Sequence, residues 1–513
     1  MDNGVKQSDV TSQDDHSDVQ EKPKSYVKDR VTLTVVLMLY MCANTSVLPV
    51  YTQYIHSRYE DFYSNDANSS TTPPSKPPHL AYTSEDADEV QVRVQQSTSY
   101  AIIKLSLCAQ IPPVIVNMVV GSYSDHIGRK VLFILPLLGC SCKYIVFILV
   151  LKFHLHLNFL ILGVLLDGLS GSSSTFVLAN MAYAADVTKT HATRMLAIVI
   201  ADSSVSVAIA IGQLMTGLLI ENLGYFYPPI INTGLILLAI AIVTFGLTET
   251  VREPKVKNLS PIVHIKKVFG FYVNKSQDNK RCIFIACLVV FALLTIGCSG
   301  RNTIETLYQL GRPFYWNPVQ IGYFGAYATV FQTLCGLVAL KMGSACVRIE
   351  VLAVTGIFLL MGSLILEGLA TTDIMLFAVP FVASISAVTL PVIRSVMSHM
   401  VDAHKQGAIF SSMATVDTLC GAVGSSSFTF LYSATVDTMR GMAFLFIAVV
   451  IFMAALTMIV VIVKSPRQPD RDLFHSPPED QDAPGLGCTQ STKLLGGGPE
   501  KIYLSMEKCS AVV

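Results

Sequence analysis

Six residues in this sequence could do chemistry that its other residues could not. Asp167, Asp202 and Asp417 are carboxylates, Arg301 and Arg394 are guanidinium groups, and Glu305 follows Arg301 by four residues. All six stand inside long apolar runs, where a charge is costly unless it is paired or used. A desolvated carboxylate favours its neutral form and can take up and release a proton. A fixed guanidinium grips a carboxylate through two parallel hydrogen bonds. The chemistry on offer is therefore anion recognition and proton exchange. Other chemistries lack their residues. There is no phosphate-cradling G-x-x-x-x-G-K-S/T loop, no H-E-x-x-H, no Cys/His cluster at zinc spacing and no Ser/His/Asp arrangement. No cofactor, no metal and no enzymatic activity are expected. Lys plus Arg and Asp plus Glu both number 36, so no basic excess invites a nucleic acid.

The elements that must hold these groups follow from composition. Of 513 residues, 52% are hydrophobic and 14% charged, against roughly a quarter charged in soluble domains. Apolar runs long enough to cross a bilayer as a helix fall at 31–54, 98–120, 131–151, 158–184, 195–220 and 228–248. After a polar stretch, six more fall at 282–309, 319–341, 350–369, 374–400, 408–434 and 441–464. Each must be helical, because lipid offers the backbone no hydrogen bonds. The fold class is an all-α membrane protein of twelve transmembrane helices in two six-helix halves, 31–248 and 282–464. A basic loop over 249–281 joins the halves. With the N-terminus inside, the tails 1–30 and 465–513, that loop and the short inner turns hold 26 of the 36 Lys and Arg, which places them in the cytosol. The outer loops hold only Arg58, Lys76, Arg93, Lys152, Arg312 and Arg440. The tail 465–513, rich in Pro, Gly and acidic residues, is expected to be disordered. Asn68-Ser69-Ser70 is a glycosylation sequon in the first outer loop, about 55–97, which also holds the Pro-rich stretch Pro73 to Pro78.

Depth along each span orders the charged residues. At about 1.5 Å per residue, Asp167 and Asp417 lie roughly 14 Å in, near the midplane, and Asp202 about 10 Å from the inner side. Lys143 and Asp167 are equidistant from the turn between spans 3 and 4, so they can pair. Asp167 then reads either as a proton site or as half of a structural ion pair. Arg394 reads as a substrate-binding cation near the loosening Pro391, or as an arginine snorkelling to the inner surface. Asp202 reads as a proton site or a helix-packing hydrogen bond. Arg301 and Glu305 share one helix face and also fit a plain intrahelical pair. Glu367 on span 9 reads as peripheral and structural. The run Ser170-Gly171-Ser172-Ser173-Ser174 suits close helix packing.

Between spans 2 and 3, Gly121, Asp125, Gly128 and Arg129 with Lys130 fit the spacing G-x-x-x-D-x-x-G-R-K/R. With the six-plus-six plan, this resembles the major facilitators. The resemblance implies a central cavity lined by spans 1, 2, 4, 5, 7, 8, 10 and 11, and a charge network of Asp125 and Arg129 on the inner face. Shorter blocks add detail: Pro49 to Tyr54, Glu249 to Lys255, Thr306 to Tyr323, Pro391 to Ser411 and Tyr432 to Thr435. Together they resemble the proton-coupled folate transporter family, with its thymic and lysosomal members. That resemblance implies proton-driven symport of a small organic anion, such as a folate, a steroid or bile-acid conjugate, or a peptidoglycan fragment. It puts Arg394 on a family arginine used for substrate or coupling, and Asp202 close to a family carboxylate linked to proton transfer. Cys298 stands where the folate-transporting member has a histidine.

The expected location is the plasma membrane, or the endosomal and lysosomal membrane. Tyr503-Leu504-Ser505-Met506 matches a short motif read by sorting adaptors. A reading of another class, a non-transporting receptor or scaffold on the same fold, would make the buried charges mere packing.

Overall fold

The computed structural model describes residues 23–69, 84–187, 191–249, 278–346, 348–399 and 406–464. Most of the loop 249–281, the N-terminal tail before Pro23 and the tail 465–513 with Tyr503 to Met506 lie outside the described residues. In chain order the helices are α1 Pro23–Thr45, α2 Val47–Ser69, α3 Ser84–Ile127, α4 Arg129–Lys152, α5 Phe159–Leu169, α6 Ser172–Val187, α7 His191–Leu223 and α8 Tyr227–Gly246. The second set is α9 Asp278–Leu310, α10 Pro318–Cys346, α11 Ile349–Gly368, α12 Asp373–Val382, α13 Thr389–His399, α14 Gln406–Thr435 and α15 Met442–Lys464. No strand occurs among the described residues.

Ten helical segments are long and apolar enough to cross a membrane, and the bent pair α12 and α13 makes an eleventh. The twelfth expected span, 408–434, is helical as α14 but falls outside that count. Its Ser412, Thr415, Asp417, Thr418 and Ser425 make it the most polar of the expected spans. It packs between α3 and α9, where those groups find partners and need not face lipid.

Three expected continuous spans are interrupted. The first breaks at Ser46, whose hydroxyl donates to the Ala43 carbonyl at 2.6 Å and so competes with the helical ladder. The fourth breaks at Ser170 and Gly171, where the sequence suggested close packing. Gly171 adopts φ +91°, a conformation that glycine enters without penalty, and Ser170 donates back to the Asp167 carbonyl at 2.6 Å. The tenth bends by 47° between α12 and α13. The broken spans 4 and 10 hold the same place in the two six-span sets. Interrupted helices at matching places in two halves mark the binding region of many carriers. The first outer loop is also shorter than expected, because α2 runs to Ser69 and α3 starts at Ser84. The polar residues there are adequate helix formers, and no proline stops α2 before Pro73.

Each half has its own apolar core. Tyr40, Phe133, Tyr144 and Phe176 anchor one. Phe291, Trp316, Phe324, Tyr432 and Phe444 anchor the other. Aromatic pairs lock each cluster, with Tyr40 stacked on Phe176 at 4.1 Å and Tyr308 edge-on to Phe444 at 5.0 Å. Small residues set the spacing of helices. A methyl group added at Gly424 of α14 would overlap the backbone carbonyl of Ile296 in α9. Gly424→Ala is accordingly expected to cost about 1–3 kcal/mol through overpacking, read as a lower Tm of the detergent-purified protein. An unchanged Tm would show that α9 and α14 separate freely.

Candidate functional site

The two aspartates predicted near the midplane each meet a cation, in opposite surroundings. Lys143 Nζ of α4 lies 2.8 Å from Asp167 Oδ2 of α5, and both side chains are only 4% exposed. Lys143 also donates to Asn44 Oδ1 at 3.2 Å, and the Ser172 hydroxyl donates to Asp167 Oδ2 at 3.1 Å. The pair therefore ties the break in the first span to the break in the fourth. The depth match read from the sequence brings these two together, in a dry setting.

Arg394 of α13 meets Asp417 of α14 more loosely. Their closest atoms are 3.7 Å apart, and the side chains are 36% and 39% exposed. The guanidinium lies over the Phe291 ring of α9 at 5.3 Å, and Thr295 of α9 donates to Asp417 Oδ1 at 3.2 Å. The neighbouring Thr418 accepts from Asn117 of α3 in the other half. Arg394 and Asp417 thus sit beside α9, partly exposed and only partly satisfied. A long charge-to-charge distance with open surroundings leaves the guanidinium free to take a second anionic partner.

Arg301 is engaged further than the sequence suggested. Its Nη2 donates to Glu305 Oε1 at 3.1 Å, the intrahelical pair, and its Nε donates to Glu367 Oε2 of α11 at 2.7 Å. Glu367 is fully enclosed, and Tyr308 donates to its backbone carbonyl at 3.1 Å. The reading of Glu367 as peripheral is corrected by this contact: α9 and α11 turn these faces to one another. Cys298, one turn before Arg301, is partly buried in the same helix.

Sequence reasoning missed a set of glutamines. Gln53 of α2, Gln213 of α7 and Gln309 of α9 line one cavity with Glu305, Thr216 and Thr306. Gln53 and Gln309 are buried, and Gln53 Oε1, Gln213 Oε1 and Gln309 Nε2 have no hydrogen-bond partner. An amide inside an apolar run is costly when unpaired. That cost is the signal in the sequence, and it marks buried amides as it marks buried charges.

At the same end, hydrogen bonds tie the halves. Tyr432 donates to Gln95 Oε1 at 2.6 Å, Gln95 donates to the Leu307 carbonyl at 3.2 Å, and Gln96 donates to the Ser433 carbonyl at 3.3 Å. Tyr315 donates to Gln91 Oε1 at 2.8 Å, and Arg312 pairs with Asp88. Deeper, Gln110 donates to the Ser425 hydroxyl at 3.0 Å.

The glycine and arginine of the turn motif have a structural partner of their own. Gly128 adopts φ +101°, and an added Cβ would crowd the Glu249 carboxylate. That carboxylate accepts from the backbone N–H of Arg129 at 2.8 Å and of Lys130 at 3.2 Å. It caps the N-terminus of α4, where the helix dipole favours negative charge. Gly121 and Asp125 lie in α3, Asp202 in α7 and Asn68 in the last turn of α2; their side chains are outside the described set.

Two helical sets with separate cores, interrupted at matching spans, fit the plan that the turn motif suggested. A profile of the Major Facilitator Superfamily matches residues 33–425, from α1 into α14. The chain belongs to the Major Facilitator Superfamily. Among similar major facilitators is the lysosomal proton-coupled steroid conjugate and bile acid symporter SLC46A3 of Gallus gallus, 28% identical over 417 residues, covering 80% of this chain and 89% of that one. The proton-coupled folate transporter of Rattus norvegicus is 29% identical over 373 residues, covering 72% and 81%. The crystal structure of the human organic anion transporter MFSD10 (TETRAN) superposes with a TM-score of 0.61 at 15% identity, covering 85% of this chain and all of that one. This last likeness speaks to the fold alone. As a major facilitator the chain is a multi-pass membrane protein.

Proposed function

We propose that this major facilitator is a secondary carrier that moves a small organic anion together with protons by alternating access. The observation that carries the reading is the accessible Arg394, held at 3.7 Å from Asp417 beside a bent span. A sealed pair would serve packing. A partly exposed guanidinium with a loosely held partner serves a visiting carboxylate or sulfate. The similar relatives support the class of cargo, since their names describe steroid conjugates, bile acids and folate carried with protons. Folate, bile-acid and steroid-sulfate chemistry are therefore the first to test. By the Lys and Arg distribution, the turn between α9 and α10 lies on the outer side, so the cross-half hydrogen bonds close the outer end. The chain then works at the plasma membrane or at the endosomal and lysosomal membrane, with Tyr503 to Met506 as the sorting signal for the second. As a carrier it makes and breaks no covalent bond.

The test is flux into proteoliposomes under an imposed acid-outside gradient, with labelled folic acid, taurocholate and estrone sulfate as probes. Acid-stimulated uptake of at least one supports the reading. Uptake indifferent to the gradient removes the proton. No uptake of any probe by correctly folded protein favours a receptor or scaffold.

A further inference from the structure

Two carboxylates share one guanidinium at the turn end of α9. Arg301 holds Glu367 at 2.7 Å and Glu305 at 3.1 Å. With all three ionised, the cluster carries one negative charge that its own cation does not neutralise. Like charges this close are disfavoured, and one added proton makes the cluster neutral. The two carboxylates differ in access. Glu367 is fully enclosed, with Oε1 unpartnered, whereas Glu305 is 22% exposed and lines the cavity of Gln53, Gln213 and Gln309.

That cavity is built for something polar. Its three glutamines come from α2, α7 and α9, so both halves contribute. The unpartnered Gln53 Oε1 and Gln213 Oε1 accept hydrogen bonds, while Gln309 Nε2 donates. A void whose lining holds unpartnered amide donors and acceptors suits water or hydronium, which needs several polar partners to stay. Other titratable groups on the surrounding elements include Tyr51, Tyr54 and His56 on α2, Glu221 near the end of α7, Cys298 and Tyr308 on α9, Tyr323 and Tyr327 on α10, Asp417 and Tyr432 on α14, and Arg440 in the turn before α15.

We infer that Glu305, with Arg301 and Glu367, forms a proton-binding site that exchanges protons with the glutamine-lined cavity. The step is simple. A proton from cavity water enters at Glu305 and is held by the Glu305–Glu367 pair, which leaves one ionised carboxylate to Arg301. Release reverses it, and no other bond changes. The inference deepens the carrier reading by assigning its proton to particular side chains, but the site itself can be detected without any flux.

Two measurements test it. The first uses purified wild-type protein and dicyclohexylcarbodiimide, an apolar reagent that attacks protonated carboxyl groups in membranes. Peptide mass spectrometry should find the adduct on the Glu305–Glu367 pair, increasing as the pH is lowered. Adducts confined to Asp202 or Asp417 would overturn the assignment. The second is pH-titrated infrared difference spectroscopy, in which the wild type should show a protonated-carboxyl band that Glu305→Gln lacks. In proteoliposomes the acid stimulation of uptake seen in the wild type should be lost in Glu305→Gln. Acid-stimulated uptake that survives in Glu305→Gln defeats the site while leaving the carrier reading intact. A Glu305 adduct in protein that carries none of the probes supports the site and leaves the carrier reading to fail alone. Should Glu305→Gln not reach the membrane, the wild-type adduct map decides.

Discussion

Lys143→Met is expected to lose most of the protein before any question of transport arises. The substitution leaves Asp167 at 4% exposure with no cation beside it. Removing one member of a buried ion pair costs about 3–5 kcal/mol, because the remaining charge stays buried and uncompensated. Net stabilities are only about 5–15 kcal/mol, so the loss should show as low abundance in membranes and a lower Tm in detergent. The double variant Lys143→Met with Asp167→Leu should regain most of it, since replacing a whole buried pair by apolar groups is often close to neutral. A shortfall is expected from Asn44 and Ser172, which would lose their partners. Normal abundance of Lys143→Met with lost uptake would reverse this view and return Asp167 to the proton pathway.

Arg394→Met should behave in the opposite manner, with uptake lost and protein level kept. Asp417, at 39% exposure and bonded by Thr295, stays hydrated when its cation is removed, so folding suffers little. What goes is the charge-assisted contact to an anionic cargo. Hydrogen bonds to charged groups are worth about 1.5–3 kcal/mol, which corresponds to roughly a 10- to 100-fold fall in apparent affinity. Arg394→Lys should restore the charge but not the two-pronged geometry, giving an intermediate KM. The check is concentration-dependent uptake in proteoliposomes, normalised to protein reconstituted. Equal KM in the wild type and Arg394→Met would leave Arg394 as an arginine reaching for the surface. The two substitutions form a matched contrast, because each removes a cation paired with an aspartate at similar depth.

Much of this was legible along the chain. The apolar runs located the helices, since transfer of some 20 residues into lipid is a property of local composition. The Lys143–Asp167 pair followed from equal distances to one turn, and Arg301–Glu305 from a separation of four on a helix. The resemblance of the turn from Gly121 to Lys130 pointed to the superfamily that the profile match then established. Less legible were the breaks. Ser170 and Gly171 were visible as small residues, but whether such a run packs or turns depends on what its hydroxyls can reach. The first span hid its break at Ser46 altogether, because a single serine in an apolar run gives no warning.

Sequence alone determined that this chain is helical, crosses the membrane many times and carries ionisable groups at depth. Tertiary structure decided which of those groups are sealed and which are open. Lys143–Asp167 and Arg394–Asp417 look alike as pairs of residue types, yet one is dry and the other accessible. It also decided that Glu367, 66 residues beyond Arg301, shares its guanidinium, and that three glutamines from both halves enclose one cavity. The cost of placing a residue in lipid is paid locally and can be read in one dimension. Access to water and to a partner depends on which helix faces meet, and only packing sets that.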